Sequence, residues 1–346
     1  MNNQEFKKEI KKITNKEIEV PSAIMFSLDM VNSKLTLDLS LESLVSNMQE
    51  DSSAVEGWIL VIISLLKESN VDIKNIEIKT NVRIDEINDY IHNESGDNGR
   101  LHLNRLFYRL TKFYEQYKSI FNITISKLPV GMFSYFEADG RLRYKDMSQF
   151  NVCINAPDSE STAQIKQPNF DEMSETEVEL SFIKSPKMLF NELKNIFGKT
   201  YDVIDRQLPV GLFDEVKSEG TYITTGKKSA IDLWALSETK DQMVICELKK
   251  KSKGNYNQKV GIISELYFYV NVMHDVFVNK TITQTEISKN VRSYHELLNN
   301  KSISSIDGVF LVDKLHPLIT NEVVKLLNKN SNNSYSVIVY DESYIR

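Results

Sequence analysis

Two short apolar segments carry the residues whose chemistry is most specific. Residues 230–236 contain Asp232, and residues 243–249 end in Glu247-Leu248-Lys249. Side chains on a strand alternate between faces, so Glu247 and Lys249 share one face, and a paired strand can bring Asp232 beside them. The polar stretch 237–242 suits the turn of such a hairpin. The spacing predicts two carboxylates and one ammonium group on an apolar β-framework.

Such a group of side chains fits phosphodiester chemistry. Two carboxylates can hold Mg²⁺ or Mn²⁺, and a bound metal can activate water beside a scissile phosphate. Lys249 can orient that water or neutralise the developing negative charge. Ordinary structural roles stay open at this stage: Asp232 can cap a turn or pair with a nearby lysine, and Glu247 can pair with Lys249 or Lys251.

Further candidates lie on helices predicted before and after the hairpin. Residues 186–197 have an amphipathic pattern and carry Glu192. The apolar segment 260–273 carries Glu265 and Tyr269, which are four residues apart and so share one helical face. Glu192 also fits an ordinary solvated helix position, and Tyr269 a core position.

Together, Asp232, the E-x-K segment and the helix after it resemble the PD-(D/E)XK nuclease superfamily, the restriction-endonuclease-like fold. The resemblance covers roughly residues 185–345. It implies a catalytic set of Asp232, Glu247 and Lys249, with Asp232, Glu247 and Glu192 as metal ligands. It also implies that Glu265 and Tyr269 support the site, as in the superfamily's Q-x-x-x-Y motif.

The sequence departs from the superfamily pattern at two positions. Glu265 stands where the motif has Gln, and Ile231 rather than proline precedes Asp232. An additional carboxylate at Glu265 can ligate metal, or it can anchor Lys250 or Lys259.

The predicted fold class is α/β. Residues 181–346 are expected to form a restriction-endonuclease-like mixed sheet flanked by helices. Residues 1–154 are expected to form an N-terminal α/β domain for recognition or regulation. Between them, residues 155–180 are rich in Pro, Ser, Thr and acidic residues, which predicts a linker or long surface loop. Residues 84–100 are also expected to be a loop with one helical turn at most.

An internal similarity relates residues 128–133 (LPVGMF) to residues 208–213 (LPVGLF), an offset of 80. Each copy follows a predicted helix and precedes a predicted strand, 150–156 in the first case and 230–236 in the second. Two interpretations stay open. The N-terminal domain is a degenerate copy that lost its site, or the two segments share a turn motif by chance.

The amphipathic helix predicted over 101–117 has an apolar stripe and, on or near its other side, Arg105, Arg109 and Lys112. The stripe is expected to be core. Its basic and aromatic residues leave a nucleic-acid face as the alternative.

Charge is distributed unevenly along the chain. The net charge is −6, but residues 181–346 have 22 Lys and Arg against 19 Asp and Glu, whereas residues 1–180 have 20 against 29. The basic run 249–253 near the predicted site is compatible with a phosphate backbone, although such a run is also an ordinary solvated strand end. Two cysteines predict no disulfide framework.

No predicted segment is suited to a membrane. The longest apolar run, 58–66, is far short of about 20 residues, and the N-terminus lacks the apolar core of a secretory signal. A cytoplasmic location is expected.

We therefore expect a Mg²⁺- or Mn²⁺-dependent endonuclease acting on nucleic acid, DNA rather than RNA. The resemblance associates it with restriction or phage defence, and a homodimer or a defence-complex partner is expected. The alternative is a catalytically inactive binding or assembly subunit on the same fold.

Overall fold

The computed structural model describes residues 2–95, 97–126, 128, 136–138, 142–144, 150–154, 164–167, 169–214, 223–224, 229–250, 259–284, 296–297, 300 and 302–344. It is a mixed α/β protein whose two larger sheets each contain parallel and antiparallel strands and are flanked by helices. In this described part, no helix is both long and apolar enough to cross a membrane.

Two compact units divide the chain discontinuously. The first comprises Met1–Met147, Lys259–Ser264 and Leu318–Ser331, and the second comprises Ser148–Gln258, Glu265–Pro317 and Asn332–Arg346. The domains expected at 1–154 and 181–346 are continuous, so the observed division differs from them. Two segments of the C-terminal half belong to the first unit because their apolar side chains are buried there.

The first unit contains a four-stranded sheet. Its strands are β1 (Ile24–Asp29), β2 (Lys34–Leu39), β3 (Asn75–Thr80) and β4 (Asn122–Ser126), in that spatial order. β1 and β2 form an antiparallel hairpin, and β3 and β4 follow parallel to β2. Alternating burial along β2 and β3 confirms the strands predicted from their period of two.

Helices of the first unit precede or connect these strands. They are α1 (Asn3–Thr14), α2 (Leu41–Val45), α3 (Val55–Glu68), α4 (Ile84–Tyr90) and α5 (Asp97–Tyr117). A π-helical turn, Ile91–Ser95, joins α4 to α5, so the loop expected over 84–100 is wrong. The acidic residues Asp85 and Glu86 suit the first turn of α4, and Ile87 is fully buried.

The second sheet has seven strands. In spatial order they are β11 (Thr283–Gln284), β7 (Phe150–Ile154), β8 (Tyr201–Asp214), β9 (Ala230–Ser237), β10 (Gln242–Lys249), β12 (Ser305–Val312) and β13 (Tyr335–Val339). β7 to β10 are successively antiparallel, whereas β10, β12 and β13 are parallel. A separate pair, β5 (Phe136–Ala138) and β6 (Leu142–Tyr144), is antiparallel.

Helices α6 (Glu175–Lys184), α7 (Lys187–Phe197), α8 (Gly261–Phe277) and α9 (Asn321–Leu327) complete the fold. Residues 175–180 were expected to end a linker but form the start of α6. The reason is a capping box, in which Ser174 and Glu177 satisfy each other's backbone amides. Residues 155–163 of that linker lie outside the described residues.

The segment 208–213 is part of strand β8 rather than a turn. β8 pairs with β9 as far as Pro209 and with β7 from Val210 onward. Proline is tolerated at this change of partner because it lacks the amide that a continuous ladder needs. The strand predicted in the first copy of the repeat, at 150–156, is β7. It pairs with β8, which carries the motif of the second copy, so the offset of 80 does not correspond to a division into two units. Of the first copy's motif only Leu128 is described.

Apolar side chains on one face of the second sheet form its core with α6 and α7. Leu233 and Ala235 of β9 and Val244, Cys246 and Leu248 of β10 lie in this core. Their alternation leaves Asp232, Ile245, Glu247 and Lys249 to the other face. The core packing therefore determines which side chains the strands present together.

Arg109 on α5 does not lie on a solvated face. Its guanidinium is fully buried, 2.6 Å from the Glu56 carboxylate, and it also donates to the Ser53 carbonyl at 2.9 Å. Arg105 is also buried and donates to Asn47. The nucleic-acid face considered for this helix is therefore wrong for these two arginines, because α3 and the segment before it cover them.

The first turn of α8 is held within the first unit. A Cβ on Gly261 would lie 2.1 Å from the carbonyl oxygen of Gln49, so only glycine fits this close approach. Asp51 accepts a hydrogen bond from the Gly261 amide at 3.4 Å, and Lys259 pairs with Glu50 at 2.5 Å. These contacts account for the assignment of 259–264 to the first unit.

Candidate active site

The predicted hairpin is confirmed, and its two strands part at the candidate site. β9 and β10 pair from Leu236 and Met243 to Leu233 and Cys246. Beyond this last pair, Asp232 Oδ2 accepts a hydrogen bond from the Leu248 amide at 3.0 Å. The Asp232 side chain thus takes the place of a backbone acceptor where the ladder has ended.

Four charged side chains, Asp232, Glu247, Lys249 and Glu265, form what we term the carboxylate–lysine cluster. Lys249 Nζ lies 2.5 Å from Glu247 Oε1, 3.4 Å from Glu265 Oε2 and 3.8 Å from Asp232 Oδ2. β10 and β9 supply three members, and α8 supplies Glu265. For Glu265 the sequence left open metal ligation or an anchor for Lys250 or Lys259, and the structure has an ion pair between Glu265 and Lys249.

The cluster is deeply set but open at one side. The side chain of Glu247 is 1 % exposed and that of Glu265 is 3 % exposed, whereas those of Asp232 and Lys249 are 19 % and 20 % exposed. A substrate atom can therefore approach Asp232 and Lys249 from solvent while Glu247 and Glu265 stay behind them.

Burial and like charge dominate the electrostatics. Burial raises the pKa of Asp232 to about 6, against the lowering effect of the Lys249 ammonium. Burial also raises the pKa of Glu247 well above its ordinary value, and the carboxyl groups of Asp232 and Glu265 raise it further. Burial lowers the pKa of Lys249, but Glu247 and Glu265 outweigh that effect and leave it well above its ordinary value. Three carboxyl groups and one ammonium make up the cluster, and burial and mutual repulsion favour the neutral forms of Asp232 and Glu247.

Helix α6 brings two acidic residues to the cluster that the sequence did not single out. Glu175 accepts a hydrogen bond from the Lys250 amide at 3.0 Å and interacts electrostatically with Lys249. Glu179, one turn later, is 5 % exposed, pairs with Arg206 at 3.2 Å and accepts from Gln207 at 2.9 Å. Burial, and next the charge of Asp232, raise the pKa of Glu179 to about 7.

A sequence signal for these acids existed. Ser174-x-x-Glu177 is a capping-box pattern that predicts a helix beginning at residue 175. Residues 175 and 179 then share one face of that helix. The helix that supplies acids beside the cluster is therefore α6, which the linker assignment had left unrecognised.

Glu192 and Tyr269 lie elsewhere. No hydrogen bond or ion pair of the described residues joins Glu192 to the cluster. Glu192 is on α7, where its charge contributes to a raised pKa of Tyr344. Tyr269 is 1 % exposed, and its hydroxyl lies 3.1 Å from the Ser229 hydroxyl, just before β9. The structure thus brings together Asp232, Glu247, Lys249 and Glu265. Tyr269 instead contacts Ser229, the residue before β9.

The basic run after Lys249 is described only at its start. Lys250 is 5 % exposed, and its ammonium lies 4.0 Å from the centre of the Phe170 ring. It is therefore not an ordinary solvated strand end. Lys251 and Lys253 lie outside the described residues.

The donor atoms of the cluster suit a hard divalent cation. Within the described ranges, no group of three or more His, Cys, Asp or Glu side chains is arranged to hold a metal ion, and the cation among the carboxylates is the Lys249 ammonium. Glu247 Oε2 is buried and accepts no hydrogen bond from the described residues. A buried carboxylate oxygen that has no hydrogen-bond donor among the described residues, in a cluster of three carboxyl groups and one ammonium, is suited to a cation. Asp232 and Glu247 are the residues that fit this role.

Comparison with known proteins adds no relative: no family model, no curated protein and no solved structure matches the chain.

Proposed function

We propose that the chain is a metal-dependent nuclease that hydrolyses phosphodiester bonds, with DNA as the first substrate to test. The carboxylate–lysine cluster is the observation that carries this proposal. In it, Asp232 of β9 meets Glu247 and Lys249 of β10 just beyond the last paired residues of the two strands. Asp232 and Lys249 are partly exposed to solvent there. Membership of the PD-(D/E)XK superfamily is part of the proposal and is supported by the same placement.

The chain's own residues have distinct roles in this proposal. Asp232 and Glu247 hold Mg²⁺ or Mn²⁺, which supplies Lewis-acid activation of water and of the phosphate when bound. Lys249 stabilises the negative charge that develops on the phosphate as the water oxygen bonds to phosphorus and the bond from phosphorus to the leaving sugar oxygen breaks. Glu265 holds the Lys249 ammonium from behind, and α6 adds negative charge through Glu175 and Glu179.

The first unit supports the proposal of a degenerate copy through a correspondence other than the offset of 80, and in this correspondence its described residues carry no matching acids or lysine. Both sheets contain a hairpin followed by two parallel strands, and both hairpins have four residues between their strands. Superposing the hairpins by sequence sets Ile24, Leu39 and Leu41 at the positions of Asp232, Glu247 and Lys249. The three matching positions are apolar, so this copy would serve recognition or regulation.

The test is cleavage of plasmid, linear duplex, single-stranded DNA and RNA, with Mg²⁺ or Mn²⁺ against EDTA. Glu247→Gln and Lys249→Met are expected to abolish metal-dependent cleavage while circular dichroism stays unchanged. Glu238→Gln is the matched control, because Glu238 is an exposed acid in the turn of the same hairpin. Cleavage that persists in both cluster variants would refute the assignment. Double-strand cleavage needs two sites, so a homodimer is expected if duplex ends are produced.

A binding or assembly subunit of a restriction or phage-defence complex is the second candidate. Residues 1–180 carry 20 Lys and Arg against 29 Asp and Glu, which favours protein over DNA contacts. Absence of calorimetric Mg²⁺ and Mn²⁺ binding by the purified protein would favour this candidate.

A further inference from the structure

Glu265 supplies a carboxylate at a position where the motif that the sequence resembles has an amide. Its Oε2 atom lies 3.4 Å from Lys249 Nζ, and its side chain is 3 % exposed. Lys249 is on a strand and Glu265 is on the following helix, so this pair connects two separate elements across the site. A glutamine side chain has nearly the same shape but no charge.

The charge count of the cluster depends on Glu265. With all groups ionised, three carboxylates and one ammonium leave an excess of two negative charges, which equals the charge of one divalent cation. Glutamine at this position would halve that excess. Its amide would also donate a hydrogen bond to neighbouring carboxylate oxygens, and those oxygens would then be less available to a cation.

Geometry separates Glu265 from the residues that face solvent. Glu247 lies closer to the ammonium than Glu265 does, at 2.5 Å, and Asp232 lies at 3.8 Å on the more exposed side. The ammonium is thus drawn inward, toward the two buried acids. This position leaves Asp232 on the approach side of the cluster.

We propose that Glu265 is a positioning residue, which draws the Lys249 ammonium inward and supplies the charge that sets the affinity of the cluster for a divalent cation. The proposal rests on the proposed nuclease function. It differs from a purely structural role for Glu265, in which the ion pair only fastens α8 to β10. A structural role predicts a loss of stability without a change in metal affinity.

The first experiment is calorimetric titration of the full chain with Mn²⁺, without substrate. Glu265→Gln is expected to weaken Mn²⁺ binding by about tenfold or more, because one nearby charge in a partly buried site is worth at least that factor. Glu265→Asp keeps the charge and is expected to bind within about threefold of the unaltered chain. Asp275→Asn is the matched control, because Asp275 is a buried acid on the same helix and outside the cluster.

The second experiment separates metal affinity from turnover. In Glu265→Gln the Mn²⁺ concentration for half-maximal cleavage is expected to rise by about tenfold or more, and kcat at saturating Mn²⁺ is also expected to fall, because Lys249 loses a carboxylate that holds its ammonium in place. A double-mutant cycle of Lys249→Met and Glu265→Gln, read by urea unfolding in EDTA, tests the ion pair itself and should be non-additive.

The outcomes distinguish the two proposals. If the unaltered chain binds Mn²⁺ and cleaves, and Glu265→Gln matches it in both, the role of Glu265 is overturned and the nuclease function stands. An additive cycle in EDTA also overturns the positioning role. If the unaltered chain neither binds Mn²⁺ nor cleaves, both proposals fall. A folded Glu265→Asp variant that regains affinity supports the charge argument even if Glu265→Gln is unstable.

Discussion

The Asp232 carboxylate accepts a hydrogen bond from the Leu248 amide at 3.0 Å, just beyond the last backbone pair of β9 and β10. The same carboxylate is also a member of the carboxylate–lysine cluster. One side chain therefore maintains the local strand geometry and contributes negative charge to the site. These two roles can be separated by asparagine, which keeps an acceptor oxygen and removes the charge.

Asp232→Asn is expected to stabilise the metal-free protein at pH 7.5 and to abolish cleavage. The folded-state pKa of Asp232, about 6, lies above its ordinary value of 3.8. Ionising this group therefore costs stability as pH rises from about 4 through 6, and the asparagine avoids that cost. We expect a gain of about 1–2 kcal/mol at pH 7.5 and none below pH 4, allowing for solvent screening.

The measurement is urea unfolding in EDTA, followed by Trp234 fluorescence in a Trp58→Phe background. Asp202→Asn is the control, because Asp202 is a more exposed acid, with a side chain 44 % exposed, at the start of β8. A variant at Asp232 that is equally destabilised at both pH values would show that the hydrogen bond outweighs the charge.

Glu179 and Glu192 are expected to respond differently to the same substitution. Glu179→Gln should lower metal-dependent cleavage by about tenfold or more, because it removes a buried charge that acts on Asp232. Glu192→Gln should stay within about twofold of the unaltered chain. Cleavage rates at saturating Mg²⁺, with circular dichroism as the folding check, provide the comparison. A larger effect at Glu192 would restore α7 as the helix that serves the site.

Glu177→Gln tests the capping box at the start of α6. Glu177 accepts hydrogen bonds from the amides of Lys166, Gln167 and Ser174 at 2.8, 3.0 and 2.9 Å. These bonds, that of Ser174 foremost, lower the pKa of Glu177 to about 2. Its contribution is therefore present above its ordinary pKa of 4.5 and is lost as pH falls toward 2. We expect Glu177→Gln to lower the free energy of unfolding by about 1–2 kcal/mol at pH 7.

Unfolding at pH 7 and at pH 2.5 provides the measurement for the cap. The difference in free energy of unfolding between Glu177→Gln and the unaltered chain should be smaller at pH 2.5 than at pH 7. Thr176→Ala serves as the control, because Thr176 is an exposed residue of the same turn. A difference that stays constant with pH would mean that the carboxylate charge contributes nothing to the cap.

Arg109→Met is expected to destabilise the first unit by about 3–5 kcal/mol, because it leaves the Glu56 carboxylate buried without its cation. Adding Glu56→Gln should recover part of that loss. Trp58 fluorescence in a Trp234→Phe background follows this unit. Arg83→Met is the control, since the Arg83 side chain is 70 % exposed. If Arg109→Met left the stability unchanged but weakened DNA binding, α5 would instead be a nucleic-acid-binding surface.

Local periodicity was sufficient to predict the centre of the site. Alternation along β9 and β10 predicted which residues share a face, and the four-residue spacing predicted that Glu265 and Tyr269 lie on one side of α8. Both patterns depend only on backbone geometry within a single element. Alternation placed Asp232 and Glu247 beside Lys249, whereas Glu265 was expected at the site because of the resemblance to the superfamily motif.

Predictions that depend on which elements pack together were less successful. The acid-bearing helix was assigned to α7, because an amphipathic pattern reports that a helix is buried but not which strand end it meets. Arg109 was placed outside because its own helix provides no partner, whereas Glu56 comes from α3, 53 residues earlier. A turn motif was one interpretation of residues 208–213, because a sequence does not reveal where a strand changes neighbours.

The discontinuous division of the chain has a consequence for its synthesis. The first unit needs residues 318–331, and the second needs 332–346. A nascent chain that has left the ribosome only as far as β10 or α8 therefore lacks parts of both units, although it already carries Asp232, Glu247, Lys249 and Glu265. On the proposed nuclease function, the chemistry-bearing side chains of β9, β10 and α8 are translated before β13, the last strand of their own sheet.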